Sequence, residues 1–324
     1  MSWSIIMLTM NSIGRAISTI SSVRRAILDT PAEIIVVDNG STDGLCEWLA
    51  TQPDIRLIAN GRNLGVPRSR NLGIRAAGTD LILFLDSDVD LKPHALGMFA
   101  GRLDDHTIGL VGDSGSILIP EWARDGIRSH DTSDEDFPGT NFVVGYCMAT
   151  RADVIRTVGP FDENYPPFYW EDIDYGLRTR KANYDLAVVS ETCYHHKRAT
   201  VGSSNSDDRI GRIEDDGRRR TLDKHAADCP TWVLAENGFQ EDIPELETML
   251  AGFRPNTILH VISPDMSVEE RRPWRVVLPG EMYPRSSYTR ACRWDGGWQV
   301  GPYRVPLKDA VLAGLNDPIE RGPW

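Results

Sequence analysis

The sequence lacks a long apolar run and any closely spaced cysteine pair. Its longest apolar stretches, such as 81–85, are far shorter than the roughly 18 residues that a membrane-spanning helix needs. The N-terminus has no basic segment followed by an apolar one, which a signal peptide would require. The five cysteines are scattered without a CxxC pair, a pattern typical of reduced thiols. We therefore expect a cytoplasmic protein with no transmembrane segment.

Positive charge is scarce. The chain has 35 Lys and Arg residues against 47 Asp and Glu residues, a net charge of -12. Proteins that bind nucleic acid or anionic membranes usually present a basic face, so nucleic acid is the less expected partner. The 324 residues, 41% of them hydrophobic and 25% charged, are ordinary for a globular protein and leave room for about two domains.

Short apolar runs alternate with segments of helical periodicity. The predicted strands are 4–9, 33–38, 55–58, 81–85 and 185–189, with further strand-like runs in 107–120 and 141–150. The predicted helices are 14–28, 45–50, 67–77 and 154–158. Near-continuous apolar strands between helices predict an α/β fold with a mostly parallel sheet covered by helices on both faces. After about residue 225 the chain becomes rich in Pro and Trp, so we predict domains 1–224 and 225–324.

Acidic residues follow two of the predicted strands. Asp38 ends the second strand, and Asp86-Ser87-Asp88 ends the strand at 81–85. Ligands of such sheets bind at the carboxyl ends of the strands, and hard cations such as Mg²⁺ or Mn²⁺ prefer carboxylate oxygens. A solvated acidic turn is an equally common interpretation of an isolated DxD triplet.

Two turns have the composition of a nucleotide site. The turn 38–43 lacks the G-x-G-x-x-G pattern, which disfavours a dinucleotide site. Its small residues would let a nucleotide approach, although an Asx turn with a helix cap is also typical here. Arg70 offers the planar, permanent charge that suits a diphosphate, and Gly65 suggests a close backbone approach to a ligand. A basic, solvated helix face is the alternative.

The segment 171–178 predicts the first two turns of a helix. Ile173 and Leu177 are four residues apart and can pack inward together. Asp174 and Arg178 have the same spacing and can form an ion pair on one face.

Two further acidic residues, Glu171 and Asp172, begin this helix. The positive end of the helix dipole keeps a carboxylate ionised, and an ionised carboxylate beside an acceptor hydroxyl is a general base. The ordinary preference for acids at helix starts is the alternative. Farther on, a neutral imidazole of His195 or His196 could be a metal ligand, although a structural role is more common.

In this order, the motifs resemble those of family 2 glycosyltransferases with the GT-A fold. The resemblance covers about residues 4–200. It rests on the first strand ending at Thr9, VVDNGSTDG (36–44), 61–65, 70–73, FLDSD (84–88), VGPFDE (158–163), EDIDYGLR (171–178) and the late histidine.

The resemblance implies the roles of individual residues. The partners would be a nucleoside-diphosphate sugar and a glycan or other hydroxyl acceptor, the cofactor Mn²⁺ or Mg²⁺, and the transfer would invert the anomeric carbon. The implied donor-binding residues are Thr9, Asp38, Asn63, Gly65, Arg70, Asp86 and Ser87. The implied metal ligands are Asp88 and His195, with His196 as the rival of the latter, and the implied base is Asp172, with Glu171 as its rival.

Two alternatives remain beside this interpretation. A sugar-phosphate nucleotidyltransferase would need a Gly- and Lys-rich N-terminal loop, which residues 4–13 do not supply. A non-catalytic nucleotide- or glycan-binding module would bind without turnover. The acidic segment 124–139 is predicted to be a mobile loop, in which 131–136 could close over the donor. The extension 225–324 is expected to bind the acceptor or to join subunits of a homo-oligomer.

Overall fold

The computed structural model describes residues 2–116, 118, 140, 142–196 and 208–225, together with six strands after residue 231. These residues belong to two compact units. The first holds the described residues up to 225, and the second holds the six later strands. The predicted boundary at 224/225 falls at the end of the last described helix, and the role of the extension stays a prediction.

The first unit alternates strands and helices. Its strands are β1 Trp3–Thr9, β2 Ala32–Asp38, β3 Ile55–Ala59, β4 Leu81–Asp86, β5 Val89–Leu91, β6 Ile108–Gly112, β7 Gly115–Ser116, β8 Phe142–Val143, β9 Cys147–Arg151, β10 Asp185–Val188 and β11 Cys193–His195. Its helices are α1 Ile13–Ala26, α2 Leu45–Ala50, α3 Val66–Ala76, α4 Ala95–Leu103, α5 Ala152–Val158, α6 Glu171–Lys181 and α7 Asp208–His225.

A seven-stranded sheet forms the centre of this unit. Its strand order is β10-β6-β9-β4-β1-β2-β3. All neighbours are parallel except β9, which runs antiparallel to both β4 and β6. The prediction of a mostly parallel α/β sheet is therefore confirmed, and the reversed β9 is the feature that the sequence pattern did not show.

The strands at the centre of the sheet are mostly apolar, as expected for a sheet that helices cover on both faces. Successive side chains of a strand point to opposite faces, so Ile5 of β1 packs in one core cluster and Ile6 in the other. The first cluster includes residues of α1, α2 and α4, and the second includes residues of α3, α5 and α6. Each fully buried large aliphatic side chain contributes about 1.5–3 kcal/mol to folding.

The close contact between α3 and β1 requires a glycine. A Cβ added to Gly73 would lie 2.2 Å from Cγ2 of Ile6, which is fully buried. We expect Gly73→Ala to lower the free energy of unfolding by about 1–3 kcal/mol, because the packed sheet must shift to admit the methyl group. Urea denaturation measures this change.

Gly97 in α4 is the matched control for this substitution. It is exposed, and a Cβ there meets no atom within 4 Å. Gly97→Ala should raise the free energy of unfolding by about 0.5–1 kcal/mol through helix propensity alone. Equal effects of the two substitutions would contradict the packing argument.

The helix α6 has the two faces that its sequence predicted. Ile173 and Leu177 are buried, and Nε of Arg178 lies 2.8 Å from Oδ2 of Asp174. Asp174 also contacts Lys224 and His225 of α7. Burial opposes ionisation of Asp174, but the hydrogen bond with His225 and the charges of Arg178 and Lys224 outweigh it and hold its pKa well below the usual range.

The second unit contains a six-stranded sheet of order β14-β13-β12-β15-β16-β17. These strands are β12 Trp232–Glu236, β13 Ile258–Ile262, β14 Trp274–Val277, β15 Thr289–Trp294, β16 Gly297–Val300 and β17 Tyr303–Pro306. The first four are parallel, and β15-β16-β17 form antiparallel pairs. The sequence analysis did not predict this sheet.

Three other predictions concern composition and loops. The described cysteines, Cys46, Cys147 and Cys193, are free thiols. In the part of the chain that the structure describes, no helix has the length and apolar character needed to cross a membrane. The predicted acidic loop 124–139 lies outside the described residues.

Candidate active site

The carboxyl ends of β1, β2 and β4 meet at one edge of the sheet. Thr9 is opposite Asp38 in the β1–β2 register, and Asp86 is opposite the neighbouring Leu8 in the β1–β4 register. The Asp38 carboxylate accepts hydrogen bonds from the backbone N–H and the hydroxyl of Ser41. The Thr9 hydroxyl is buried and has no partner among the described residues. An unsatisfied hydroxyl beside a carboxylate at this edge is what a ligand pocket would leave in the free protein.

The Asn63–Gly65 turn is held by the protein itself. The side-chain amide of Asn39 donates to Oδ1 of Asn63 at 2.9 Å and accepts the N–H of Leu64 at 2.8 Å. Gly65 has φ +83°, and a Cβ there would lie 3.0 Å from Cα of Pro167. The close approach expected at Gly65 is therefore made by the segment before α6, and donor binding by Asn63 and Gly65 stays a prediction.

Asp86 and Asp88 lie on either side of a tight corner between β4 and β5. The Asp86 side chain is 40% exposed, whereas that of Asp88 is buried. Although the Asp86 carboxylate is partly exposed, the protein around it desolvates it and raises its pKa; Arg70 opposes the shift, and the charges of Asp88 and Asp172 add to it. Ser87 is buried, and its carbonyl accepts the Thr19 hydroxyl at 2.9 Å.

The antiparallel pair β5–β11 brings the histidines to the acidic corner. Nε2 of His195 lies 3.7 Å from Oδ2 of Asp88, and Nε2 of His196 lies 3.0 Å from Oδ2 of Asp90. The two histidines therefore have different carboxylate partners. The geometry favours His195 over His196 as the neighbour of Asp88.

The donor set of Asp88 and His195 fits a divalent cation. A carboxylate oxygen and an imidazole nitrogen 3.7 Å apart are not hydrogen-bonded, but both can contact one ion between them. The described residues contain no group of three or more His, Cys, Asp or Glu side chains arranged for a metal. Mg²⁺ sites in enzymes commonly use one or two carboxylates with substrate phosphates and water, so a third protein side chain is not required.

Asp172 and Glu171 have very different environments at the start of α6. Asp172 is half-buried; its Oδ2 accepts the N–H of Gly145 and its Oδ1 that of Ile173, both at 2.9 Å. Glu171 is buried, its Oε1 accepts from Arg70 at 3.0 Å, and its Oε2 has no partner among the described residues. Burial, and then the charge of Asp172, raise the pKa of Glu171. Asp172 is the more accessible carboxylate.

Arg70 lies beneath the acidic residues. Its side chain is 2% exposed. One Nη donates to Glu171, and the other donates to the carbonyl of Gly145 at 2.8 Å and lies 3.6 Å from Oδ1 of Asp86. The sequence analysis placed Arg70 on the donor diphosphate or on a solvated face. The solvated face is wrong, because the guanidinium is buried as the counter-ion of Glu171 and Asp86.

The turn Gly145–Tyr146 connects the acidic groups, and the sequence analysis missed it. Gly145 contacts Asp172 through its N–H and Arg70 through its carbonyl. The carbonyl of Tyr146 accepts the N–H of Asp86 at 2.9 Å. These contacts use backbone groups, which carry no signal in side-chain patterns.

A family comparison accounts for this arrangement. Residues 4–159 match the model of glycosyl transferase family 2. The chain carries a family 2 glycosyltransferase domain. This match includes β1 and the two strands with acidic ends, β2 and β4. The enzyme is a glycosyltransferase.

Similar sequences act in several glycosylation reactions. The N-acetylglucosaminyl-diphospho-decaprenol L-rhamnosyltransferase of Mycobacterium tuberculosis is 26% identical, over 54% of this chain and 69% of its own length. The pre-mycofactocin glycosyltransferase of the same organism is 28% identical over 49% and 38%. The dTDP-rhamnosyl transferase RfbF of Shigella flexneri is 24% identical over 48% and 55%.

Solved structures show the GT-A fold of this glycosyltransferase. Glucosyl-3-phosphoglycerate synthase of M. tuberculosis has a TM-score of 0.51 at 19% identity, covering 69% of this chain and 80% of that one. TarS of S. aureus has a TM-score of 0.50 at 18% identity, covering 66% and 64%. Together with the family match, these similarities favour a glycosyltransferase over the nucleotidyltransferase and the binding module.

Proposed function

We propose that this glycosyltransferase moves a sugar from a nucleoside diphosphate to an acceptor hydroxyl in one inverting, cation-dependent displacement. The observation that carries the proposal is the convergence of two acidic groups that are distant in sequence. Adjacent backbone groups link Asp172 of α6 to Asp86 of β4: the N–H of Gly145 donates to Asp172, and the carbonyl of Tyr146 accepts the N–H of Asp86. Asp88 and His195 lie at the adjoining corner.

The donor nucleotide would bind at the ends of β1, β2 and β4. Asp38 would accept from the base, and the unpartnered Thr9 hydroxyl would line the same pocket. Asp86 would contact the ribose or the metal side, next to Ser87. Two neighbours of the same fold support a nucleotide ligand, because TarS was solved with UDP-GlcNAc and the synthase with UDP and Mn²⁺.

Asp88 and His195 would hold the cation. A bound Mn²⁺ or Mg²⁺ supplies charge that offsets the departing nucleoside diphosphate. The role of Arg70 is indirect in this proposal, since its buried guanidinium balances Glu171 and Asp86. The positive charge of Arg70 stabilises these acidic residues in the absence of a cation.

Asp172 would act as the general base. Its two backbone hydrogen bonds fix the carboxylate, and a carboxylate has capacity for further acceptor contacts. As the acceptor oxygen bonds to the anomeric carbon, its proton moves to Asp172 and the bond from that carbon to the diphosphate oxygen breaks. A single displacement from the opposite face inverts the carbon, as in inverting glycosidases.

The acceptor and the donor sugar are open parts of the proposal. The relatives are named for rhamnosyl transfer and for a mycofactocin precursor, so they do not agree on one acceptor. We propose residues 225–324 as the acceptor-binding or subunit-joining extension. Its parallel strands β12–β15 give it a sheet of its own.

Release of nucleoside diphosphate tests the reaction. The full chain is incubated with UDP-, GDP- and dTDP-sugars in Mn²⁺, in Mg²⁺ and in chelator. We expect release from one donor class, dependent on the cation, and NMR of the glycoside formed with the identified acceptor should show inverted anomeric configuration. Release that is unchanged in chelator, or retained configuration, would contradict the proposal.

The metal assignment predicts the effect of Asp88→Ala. We expect Mn²⁺ affinity to fall at least about 100-fold, because the substitution removes a ligand and even outer partners of ligands contribute about 10–100-fold. The electron paramagnetic resonance signal of free Mn²⁺ measures binding directly. Asp90→Ala is the matched control: Asp90 contacts His196 and Ser18 instead, so this variant should bind Mn²⁺ like the wild type.

A further inference from the structure

The imidazole of His195 lacks the contact that usually orients a metal-binding histidine. A ligating histidine generally donates its second ring N–H to a carboxylate, carbonyl or water, which fixes the ring. Within the described part of the chain, Nδ1 of His195 is buried and has no hydrogen-bond partner, while Nε2 faces Asp88. Another contact must therefore hold the plane of this ring.

Tyr146 provides that contact. Its ring stacks on the imidazole of His195, with the centroids 4.2 Å apart and the planes 22° from parallel. A stacked neighbour restricts rotation of the imidazole, because any tilt brings the two rings into collision. The carbonyl of Tyr146 also accepts the N–H of Asp86. One residue thus contacts both the acidic corner and the histidine that faces it.

Asp113 fixes the position of Tyr146. The tyrosine hydroxyl donates to Oδ2 of Asp113 at 3.2 Å. The other carboxylate oxygen accepts the N–H of Thr192 at 2.8 Å and that of Cys193 at 3.1 Å. Because Cys193 begins β11, the same carboxylate anchors both the stacking ring and the strand that carries His195.

We propose that Tyr146, anchored by Asp113, is the positioning residue of His195 and directs its Nε2 toward the cation held with Asp88. The proposal rests on the metal role that the proposed function gives to Asp88 and His195. Tyr146 itself touches no reacting atom and acts through the histidine. It would make the metal site depend on an aromatic contact where other sites use a hydrogen bond.

The test is a titration of the full chain and its variants with Mn²⁺ alone, followed by paramagnetic resonance of the free ion. Tyr146→Leu removes the ring, and we expect it to weaken Mn²⁺ binding about 10–100-fold, as loss of an outer-shell partner does. Tyr146→Phe keeps the ring and removes only the hydrogen bond to Asp113. The loss of Mn²⁺ affinity should therefore be smaller, about 3–10-fold on the same scale.

The chain contains a matched control in the next tyrosine–histidine pair. Tyr194 packs edge-on against His196, with ring centroids 4.6 Å apart, and its own side chain is exposed. Tyr194→Leu should leave Mn²⁺ affinity unchanged. A general loosening of β11 would weaken both leucine variants equally, and that result would overturn the positioning role.

A second readout does not depend on the metal. In the metal-free protein, the ring current of Tyr146 should shift the imidazole protons of His195, and Tyr146→Leu should abolish that shift while the signals of His196 stay in place. An unmoved His195 signal would overturn the stacking on which the proposal depends. If Tyr146→Leu does not fold, wild-type Mn²⁺ affinity in Tyr146→Phe would overturn it.

The outcomes separate this inference from the proposed function. If the wild type binds Mn²⁺ and Asp88→Ala does not, but Tyr146→Leu binds like the wild type, the positioning role falls and the metal site stands. If the wild type does not bind Mn²⁺, or Asp88→Ala binds it normally, the metal assignment falls and this inference falls with it.

Discussion

Replacement of Asp172 by asparagine is expected to lower the rate of sugar transfer about 10²–10⁴-fold, the usual contribution of a general base. Asparagine can still accept the N–H of Gly145, so the start of α6 should keep its structure. Mn²⁺ affinity should remain that of the wild type, because Asp172 does not belong to the proposed metal pair. Initial rates of nucleoside diphosphate release, with the identified donor and acceptor, measure the loss.

Glu171→Gln is the control for the choice of base. Glu171 is buried against Arg70, so the substitution Glu171→Gln should affect the free energy of unfolding more than the rate of the chemical step. We expect its transfer rate to stay within about 10-fold of the wild type, well short of the loss of a base. A larger loss in Glu171→Gln than in Asp172→Asn would exchange the two roles.

Replacement of Arg70 by methionine is expected to lower the free energy of unfolding by about 3–5 kcal/mol at pH values above 8, where Glu171 is ionised, because it leaves a buried carboxylate without its counter-ion. The Arg70 and Glu171 side chains are only 2% and 6% exposed, so water cannot replace the lost partner. The double variant Arg70→Met/Glu171→Gln should regain much of this stability, since both charges of the buried Arg70–Glu171 pair are then removed together. Urea denaturation of the two single variants and the double variant gives the coupling energy.

The pH dependence of this effect follows from the pKa of Glu171. Burial raises that pKa from 4.5 to about 8 in the folded protein, so the native state binds the proton more tightly than the unfolded chain. The contribution of Glu171 to the free energy of unfolding is therefore fully present at pH values below about 4.5, and it declines as the pH rises toward 8. Without Arg70 the pKa rises further, so Arg70→Met should lose more stability at pH 8 than at pH 5. An equal loss at both pH values would contradict this account.

The local parts of the site could be predicted from the sequence. Apolar runs located the strands, and the acids at their carboxyl ends identified the edge where Asp38 and Asp86 lie. The spacing within α6 predicted both its buried face and the Asp174–Arg178 pair. These features depend on neighbours within a few residues, which a periodic pattern records.

The contacts between distant segments could not be predicted in this way. Arg70 and Glu171 are 101 positions apart, so nothing near Arg70 distinguishes a buried counter-ion from a ligand for phosphate. Gly145 acts through its backbone, and Asp113 looks like an ordinary residue at the end of a strand. The sequence also does not reveal the direction of β9, because an apolar run does not distinguish a parallel from an antiparallel strand between β4 and β6.

The reversal of β9 has a consequence for how this site can evolve. A strand that runs against its neighbours presents its first residues, here next to Gly145 and Tyr146, at the edge where the other strands finish. The connection between β7 and β8 can therefore change in length without lengthening a crossover helix or shifting the register of the sheet. Related enzymes could therefore change their acceptor and still keep the turn Gly145–Tyr146, which links Asp172 to Asp86.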